Sequence, residues 1–469
     1  MNDAPEHDTP AGAPDSQQPD IPGVIAPAMI EQFEEAVESG DRDFLKRTIS
    51  ELHPADAADL LEHLPLDEFR RAINLVDADL PPEAVAELGE DTRIAALGEL
   101  SDDGIAAMVE NLESDDASFL LNDLSDERRT RILARMPATD RAAIESSLAF
   151  DEESAGRLMQ RDFVAAPIFW TVGQAIDHMR TVDDDDLPDT FFDIYIVDPG
   201  FRLQGAVPVS TLLRSTRETP LKDLMKESRV KLTTGMDQEE VAYLFQQYNL
   251  ASAPVVDEAG RLTGMITVDD VVDVIQEEAQ EDMLALSGVS ESGVNQSIFS
   301  AVRARVPWLA INLFTAFIAS TVVSLFSNVI NHFVTLAFLM PVVAGVSGNC
   351  GSQSLAVAVR AIAERDMEGS MVMRAIRREA ATALINGLLI AWSAALVSLI
   401  LFHAPVISLV VGMAMTLTFT WAGLIGILAP LTLKRLGQDP AVSSSVFVLT
   451  SIDMISFFVF LGLSTLILL

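Results

Sequence analysis

Read as a pattern of apolar and polar positions, the chain shows three characters in succession. From about Glu31 to Phe150 the stretches "LHPADAADLLEHL", "LSDDGIAAMVENL" and "LESDDASFLLNDL" repeat one theme. Each is a leucine, a turn with Pro or Asp, and an amphipathic run of about two helical turns. Such self-similarity predicts short helices stacked into a superhelix. Ser101, Ser114 and Ser125 stand where N-caps are expected, with acids in the first turns behind them. After Asp151 the period shortens. "VDPGFRLQGAVPVSTLL" at Val197 returns 59 residues later as "VDEAGRLTGMITVDDVV" at Val256, each reading as strand, Gly turn, strand and helix start. The upstream segments "DFVAAPIFWTVGQAIDHMR" and "SRVKLTTGMDQEEVAYLFQQY" also correspond, which predicts two small α/β modules in tandem. Beyond Ala301 come five apolar segments, near Val306–Phe326, Val334–Ala358, Ala380–Leu401, Val406–Leu431 and Val442–Leu468. Each is close to the roughly 20 residues that cross a bilayer.

Charge sharpens this division. Of the net −38, the segment from Ala301 carries +3, from nine basic and six acidic residues, and everything before it carries −41. So acidic a soluble part argues against nucleic-acid binding, which needs basic surface, and predicts self-repulsion relieved by cations. One cysteine, Cys350, leaves no intramolecular disulfide and no cysteine-cluster metal site. The opening "MNDAPEHDTPAGAPDSQQPDIPG" is acidic, Pro-rich and without an apolar core, so it reads as a disordered tail rather than a signal peptide. Basic residues flank the apolar segments unevenly. Arg303 and Arg305 precede the first, Arg360, Arg365, Arg374, Arg377 and Arg378 surround the second-to-third connection, and Lys434 and Arg435 follow the fourth. "SNVINH" and "FHAPVIS" carry neither Lys nor Arg. The positive-inside rule then places the N-terminus in the cytoplasm and the C-terminus outside.

Two features inside the spans are costly in lipid. Asp453 is the one carboxylate in "LTSIDMISFFVFLGLSTLILL", where a lone charge costs about 2.5–3.5 kcal/mol on insertion scales. The second span holds "MPVVAGVSGNCGSQSLAVAVRAIA", in which Asn349 and Gln353 are four residues apart and share a helical face. Close helix packing would explain the small residues, and a hydrogen bond to a neighbouring helix would explain Asp453. A polar cation pathway explains both together, since no basic residue lies deep in the spans to pair with Asp453. Paired aspartates or an H-E-x-x-H motif, as an intramembrane hydrolase would need, do not occur in the spans, so no enzyme is expected.

A second acidic row leads into the membrane. In "TVDDVVDVIQEEAQEDMLALSGVSESG", Asp270, Asp273, Glu277 and Glu281 recur at three- and four-residue steps, so their charges repel on one helix. A solvated face and a cation-sensing row both fit that pattern. The repeated α/β unit resembles a CBS module, a regulatory unit that senses nucleotides or ions. Thr267 and Asp270 resemble the T-x-x-D pattern that holds a ribose in nucleotide-binding CBS modules; the first copy has Pro208 and Thr211 there and lacks the acid. One site for ATP or another adenine nucleotide is therefore the most the pattern supports.

The whole order of segments resembles the MgtE family of magnesium channels, most specifically in "MPVVAGVSGNCGSQSLAVAVRAIA", "DPAVSSSVFVLTSID" and "DEESAGRLM". The resemblance implies a multidomain chain: a disordered tail (1–25), an acidic all-α superhelical N domain (26–150), tandem CBS modules (151–218 and 219–278), a connecting plug helix (279–300) and a five-helix transmembrane pore domain (301–469). It further implies a homodimer in the cell's inner membrane with one pore on the dimer axis. Asp453 matches the family's pore aspartate, which holds hydrated Mg²⁺, and Asn349 matches an asparagine near that path. Asp237, Glu239, Asp270, Asp273 and Asp282 match acidic positions where Mg²⁺ bridges the CBS modules and the plug. Asn249 is neutral where relatives carry an acid, and Leu449 and Ser456 stand where relatives often have Thr and Gly. The function implied is Mg²⁺ import gated closed by cytosolic Mg²⁺. Transport of another divalent cation such as Co²⁺, and a CBS sensor that transports nothing, are the alternatives; the polar stretch around Asn349 and Asp453 speaks against the latter.

Overall fold

A computed structural model describes residues 25–182, 187–188, 190–228, 230–286, 298–363 and 369–469. The tail expected to be disordered, through residue 24, and residues 287–297 of the expected plug lie outside them. The chain divides into two compact units, one reaching Val164 and including 178–189, the other formed by Ala165–Asp177 and Thr190–Leu469.

The first unit is all-α. Its ten main helices are α1 (Pro27–Ser39), α2 (Arg42–Glu51), α3 (Pro54–Glu62), α4 (Leu66–Val76), α5 (Pro82–Ala86), α6 (Glu90–Glu99), α7 (Asp102–Val109), α8 (Ser114–Asn122), α9 (Asp126–Leu133) and α10 (Ala138–Leu148). Their ends follow local chemistry. Proline opens α1, α3 and α5, where no amide donor is needed. Asp41 caps α2 by accepting from the Phe44 amide at 3.1 Å, and Ser101 caps α7 by accepting from Gly104 at 3.0 Å. Of the other expected caps, Ser125 occupies the N-cap of α9 without a side-chain bond. Ser114 is instead the first residue of α8, and its hydroxyl accepts from the Arg161 amide at 2.8 Å. Leucines from successive repeats meet in one core, with Leu45, Leu60, Leu61, Leu97, Leu120 and Leu121 essentially inaccessible to water.

Ion pairs tie the stack across repeats. Asp102 takes Arg128, Arg131 and Arg135 at 3.0, 3.1 and 2.9 Å, and these guanidiniums hold its carboxyl far below the usual range. The segment "DEESAGRLM", expected in the first CBS module, packs with this unit. Arg161, just after it, donates to Ser147 and Ser146, and Gln160 bonds Glu113.

In the second unit the 59-residue repeat becomes two matching sheets. Strands β1 (Ala165–Pro167), β2 (Asp193–Val197) and β3 (Leu203–Pro208) lie in that order, with β1 parallel and β3 antiparallel to β2. Strands β4 (Leu232–Thr233), β5 (Ser252–Val256) and β6 (Leu262–Thr267) repeat the arrangement, down to a register shift at Val255/Val256 that matches Ile196/Val197. The two turns pair back to back: Leu203 donates to the Gly260 carbonyl at 3.1 Å and Leu262 to the Phe201 carbonyl at 3.0 Å. Phe201 and Gly260 are equivalent and both left-handed, at φ 62° and 76°, a conformation natural only to the glycine. Tyr195 of β2 donates to Ser252 of β5 at 3.2 Å, and Ser252 donates to Asp193, closing the seam between modules.

From Val268 one unbroken helix runs to Leu286, so the described part of the connecting plug continues the last helix of the second module. Numbering α11 (Ala155–Leu158), α12 (Val172–Met179), α13 (Val209–Leu213), α14 (Leu221–Leu224) and α15 (Gln238–Tyr248), this helix is α16. Among the described residues, five later helices are long and apolar enough to cross a membrane: α17 (Ile298–Ser324), α19 (Thr335–Ala363), α20 (Ser370–Phe402), α21 (Pro405–Arg435) and α22 (Pro440–Leu468), with the short α18 (Ser327–His332) after the first. α17 leaves Leu313, Phe314 and Phe317 more than half exposed, as a lipid-facing helix does, whereas α19 and α21 bury their small faces. Glycine sets the closest approaches. A Cβ on Gly426 of α21 would stand 2.8 Å from the Gly351 carbonyl oxygen of α19. The end of α16 joins this core through Ala285 and Leu286.

Candidate cation pathway and acidic cluster

The hydroxyls of the membrane helices are largely used in packing. Ser347 and Thr418 share a bond of 2.8 Å between α19 and α21, Ser354 donates to Glu379 of α20 at 2.7 Å, and Trp421 donates to Ser451 of α22 at 3.0 Å. α19 and α22 meet where Gly348 and Gly351 face Val448, Leu449 and Ile452. Beside that contact stand the two expected pathway residues, Asn349 on α19 and Asp453 on α22. Asn349 and Gln353 are exposed on one face of α19, and Asp453 is half-buried. Among the described residues Asp453 has neither a hydrogen-bond partner nor an ion pair. One turn further, the fully buried Ser456 hydroxyl is also without a described partner. A carboxylate left unpaired at this depth can attract a cation that brings its own water, the state Mg²⁺ prefers.

The acids expected in a sensor fall into two groups. Asp237 caps α15, accepting from the Glu239 amide at 2.9 Å. Its side of α15 faces α16, where Gln238 donates to Glu278 at 2.8 Å. Burial pushes the Glu278 carboxyl up to about 7, and Glu239, Glu281 and Asp237 push in the same direction while the Gln238 bond opposes them. Burial likewise raises Asp282 to about 6, helped by Asp439, Glu239 and Glu281. Asp237, Glu239 and Asp282 therefore share one electrostatic cluster with Glu278, Glu281 and Asp439. Neither Asp270 nor Asp273 is among the charges that raise Glu278 and Asp282. Asp273 is raised by burial and by neighbouring Asp269.

Asp270 accepts from the Thr267 hydroxyl at 2.8 Å and from its amide at 3.4 Å, the second bond being one half of a capping box at the start of α16. The T-x-x-D pattern thus has a structural use in its own helix. A ribose would have to share a carboxylate already bonded to Thr267. Hard carboxylate oxygens suit Mg²⁺, yet no three acidic, His or Cys side chains converge on a single point among the described residues. Glu278 and Asp439 escape a reading of the sequence. Glu278 hides beside Glu277 in the acidic row, and Asp439 comes from the α21–α22 turn, far away in the chain.

Five helices long and apolar enough to cross a membrane, with a helical connector from paired α/β modules, define a multi-pass membrane protein. The sequence matches the family models described as "Divalent cation transporter" over 340–463, "MgtE intracellular N domain" over 52–153 and "CBS domain" over 221–277. The magnesium transporter MgtE of Thermus thermophilus is 33% identical over 450 residues, which cover 93% of this chain and 98% of that protein. The magnesium transporter MgtE of Bacillus subtilis is 29% identical over 426 residues, 90% of this chain and 94% of that one. Among solved structures, the cytosolic domain of the Mg²⁺ channel MgtE in complex with ATP is similar at 30% identity and a TM-score of 0.48, covering 52% of this chain and 99% of that one. This chain belongs to the MgtE family.

Proposed function

We propose that this protein passes Mg²⁺ into the cytoplasm through a pore at the axis of a homodimer, and that cytosolic Mg²⁺ closes it. The observation that carries the reading is Asp453, a membrane carboxylate without a described partner. Two copies of it, with Asn349 nearby, would face a hydrated ion from both sides. Two carboxylates contacting retained waters suit an ion that dehydrates reluctantly. The uneven loop charges favour a cytoplasmic N-terminus and an outer C-terminus.

Closure would draw on the acids of the extramembrane part. Burial raises Glu278 and Asp282 and the like charges around them add to it, and a divalent ion that favours their charged forms would relieve that added repulsion. Asp237, Glu239 and Asp282, which do not meet at one point, would hold such an ion against α16 through its water shell, and Asp270 and Asp273 would serve a second contact across modules. Thr267 and Asp270 remain the one candidate for the ribose of ATP or another adenine nucleotide.

Uptake of Mg²⁺ into liposomes by the purified full-length protein tests the proposal. Wild type should transport, Asp453→Ala should reach the membrane and carry little, and Asp453→Glu should retain part of the flux. Full transport by Asp453→Ala would refute the pore assignment. Competition by Co²⁺ in the same assay decides which divalent ion is preferred.

A further inference from the structure

An open cavity of about 250 Å³ lies between α19 and α20, and neither Asp453 nor any member of the acidic cluster lines it. Gln353 and Ser354 of α19 line it, with Glu379, Thr382 and Asn386 of α20. On α20 Glu379, Thr382 and Asn386 fall at steps of three and four, so one face of that helix lines the cavity, opposite the adjacent Gln353 and Ser354 of α19. Five oxygen-bearing side chains in a row of otherwise apolar membrane helices is more polarity than packing requires. Among the described residues, the 2.7 Å bond from Ser354 to Glu379 ties the two helices together. That bond fixes the carboxylate and uses one of its roughly four acceptor positions.

We infer that Glu379 anchors a second station for the transported ion, a hydrated divalent cation, with Gln353, Thr382 and Asn386 bonding its water shell. The inference rests on the transport reading above and extends it. Six waters at about 30 Å³ each occupy about 180 Å³, which the cavity accommodates without stripping the shell. Gln353 also lies on the face of Asn349, one turn along α19, so the cavity opens from the same polar face as the proposed path. Arg378 is exposed and lines the cavity as well. A neighbouring positive charge weakens cation binding, which suits a station that must release its ion.

Glu379→Gln tests the charge while leaving an oxygen to accept from Ser354. In liposomes, the Mg²⁺ concentration giving half-maximal uptake should rise by about tenfold or more for Glu379→Gln. Glu379→Asp should shift it in the same direction by much less. A packing role predicts the reverse order, with the shorter Asp more harmful, and that result would overturn the inference.

Cys350 supplies a second readout, being the single cysteine of the chain and lining the same cavity. A small maleimide should label it more slowly with Mg²⁺ in wild type and in Asp453→Ala, and at an unchanged rate in Glu379→Gln. Labelling indifferent to Mg²⁺ in wild type, or no labelling in any of the three proteins, counts against the station. Failure of wild type to take up Mg²⁺ while protection of Cys350 persists would instead refute the transport reading alone.

Discussion

Replacing Gly426 by alanine should loosen the membrane core, and the structure fixes why. The added Cβ would sit 2.7 Å from the Ser354 Cβ, 2.8 Å from the Gly351 carbonyl oxygen and 3.1 Å from the Leu355 amide nitrogen. Carbon atoms settle at about 3.5–4.0 Å, so α19 must retreat by close to 1 Å. Two of the three obstacles are backbone atoms, which no rotamer change can move. Overpacking of this kind costs about 1–3 kcal/mol.

Gly462 on α22 is the matched control, with no heavy atom within 4 Å of its added Cβ. Gly462→Ala should be neutral or gain up to about 1 kcal/mol from the alanine's better helix propensity. At about 2–4 °C per kcal/mol, the two variants should melt several degrees apart. Intrinsic fluorescence of the full-length protein in detergent reads this directly, because three of four tryptophans, Trp308, Trp392 and Trp421, lie in membrane helices. Gly426→Ala also displaces Ser354, so Mg²⁺ uptake should fall with the melting point. Equal melting points for the two variants would refute the claim that α19 and α21 need a glycine at this crossing.

Three further outcomes follow from the first unit and the acidic cluster. Arg93 is almost fully buried, pairs with Asp123 at 2.5 Å, donates to the Leu88 carbonyl and lies 4.0 Å from the Phe119 ring centroid; Arg93→Ala should cost about 3–5 kcal/mol in denaturant unfolding, far more than an exposed Arg71→Ala. Ser101→Ala should lose about 1 kcal/mol in the same measurement, and Ser125→Ala close to nothing, since only the first hydroxyl caps its helix. Glu278 and Asp282 hold protons more tightly folded than unfolded, so with Mg²⁺ chelated their contribution to stability is greatest below about pH 4 and is lost as pH rises through about 6 to 7. Thermal unfolding in EDTA should show this loss, Mg²⁺ should reduce it, and Glu278→Gln with Asp282→Asn should largely remove it; a wild-type slope of the opposite sign would contradict the crowding.

Local signals were readable where one residue decides its own neighbourhood. Ser101 before two acids is a cap because its hydroxyl reaches an amide three residues on, and the paired "VD…G" turns impose equivalent strands 59 residues apart. Ser114 has the same local look and a different role, because Arg161, 47 residues later, claims its hydroxyl. Apolar length gave the five membrane helices, yet no periodicity marks which polar groups meet. Asp282 and Asp439 become neighbours only when α16 packs beside α22, and Glu379 follows a basic run that reads as a membrane flank until Ser354 is seen to bond it. The segment Asp151–Met159 sides with the helical unit because Arg161 and Gln160 anchor it there through contacts no local pattern announces.

The unbroken helix α16 has a mechanical consequence. Nineteen residues at 1.5 Å each make a rod about 28 Å long, rooted in β6 at one end and in the membrane core at the other. Its first turn is about 5.4 Å long. A sideways adjustment of about 1 Å across that turn tilts the rod by about 10° and carries its far end about 5 Å, close to the rise of one helical turn. At that distance Ala285 exchanges one set of neighbours for the next. Small rearrangements among carboxylates near the root of such a rod need no large domain motion to be felt among the membrane helices; the lever arm multiplies them about fivefold.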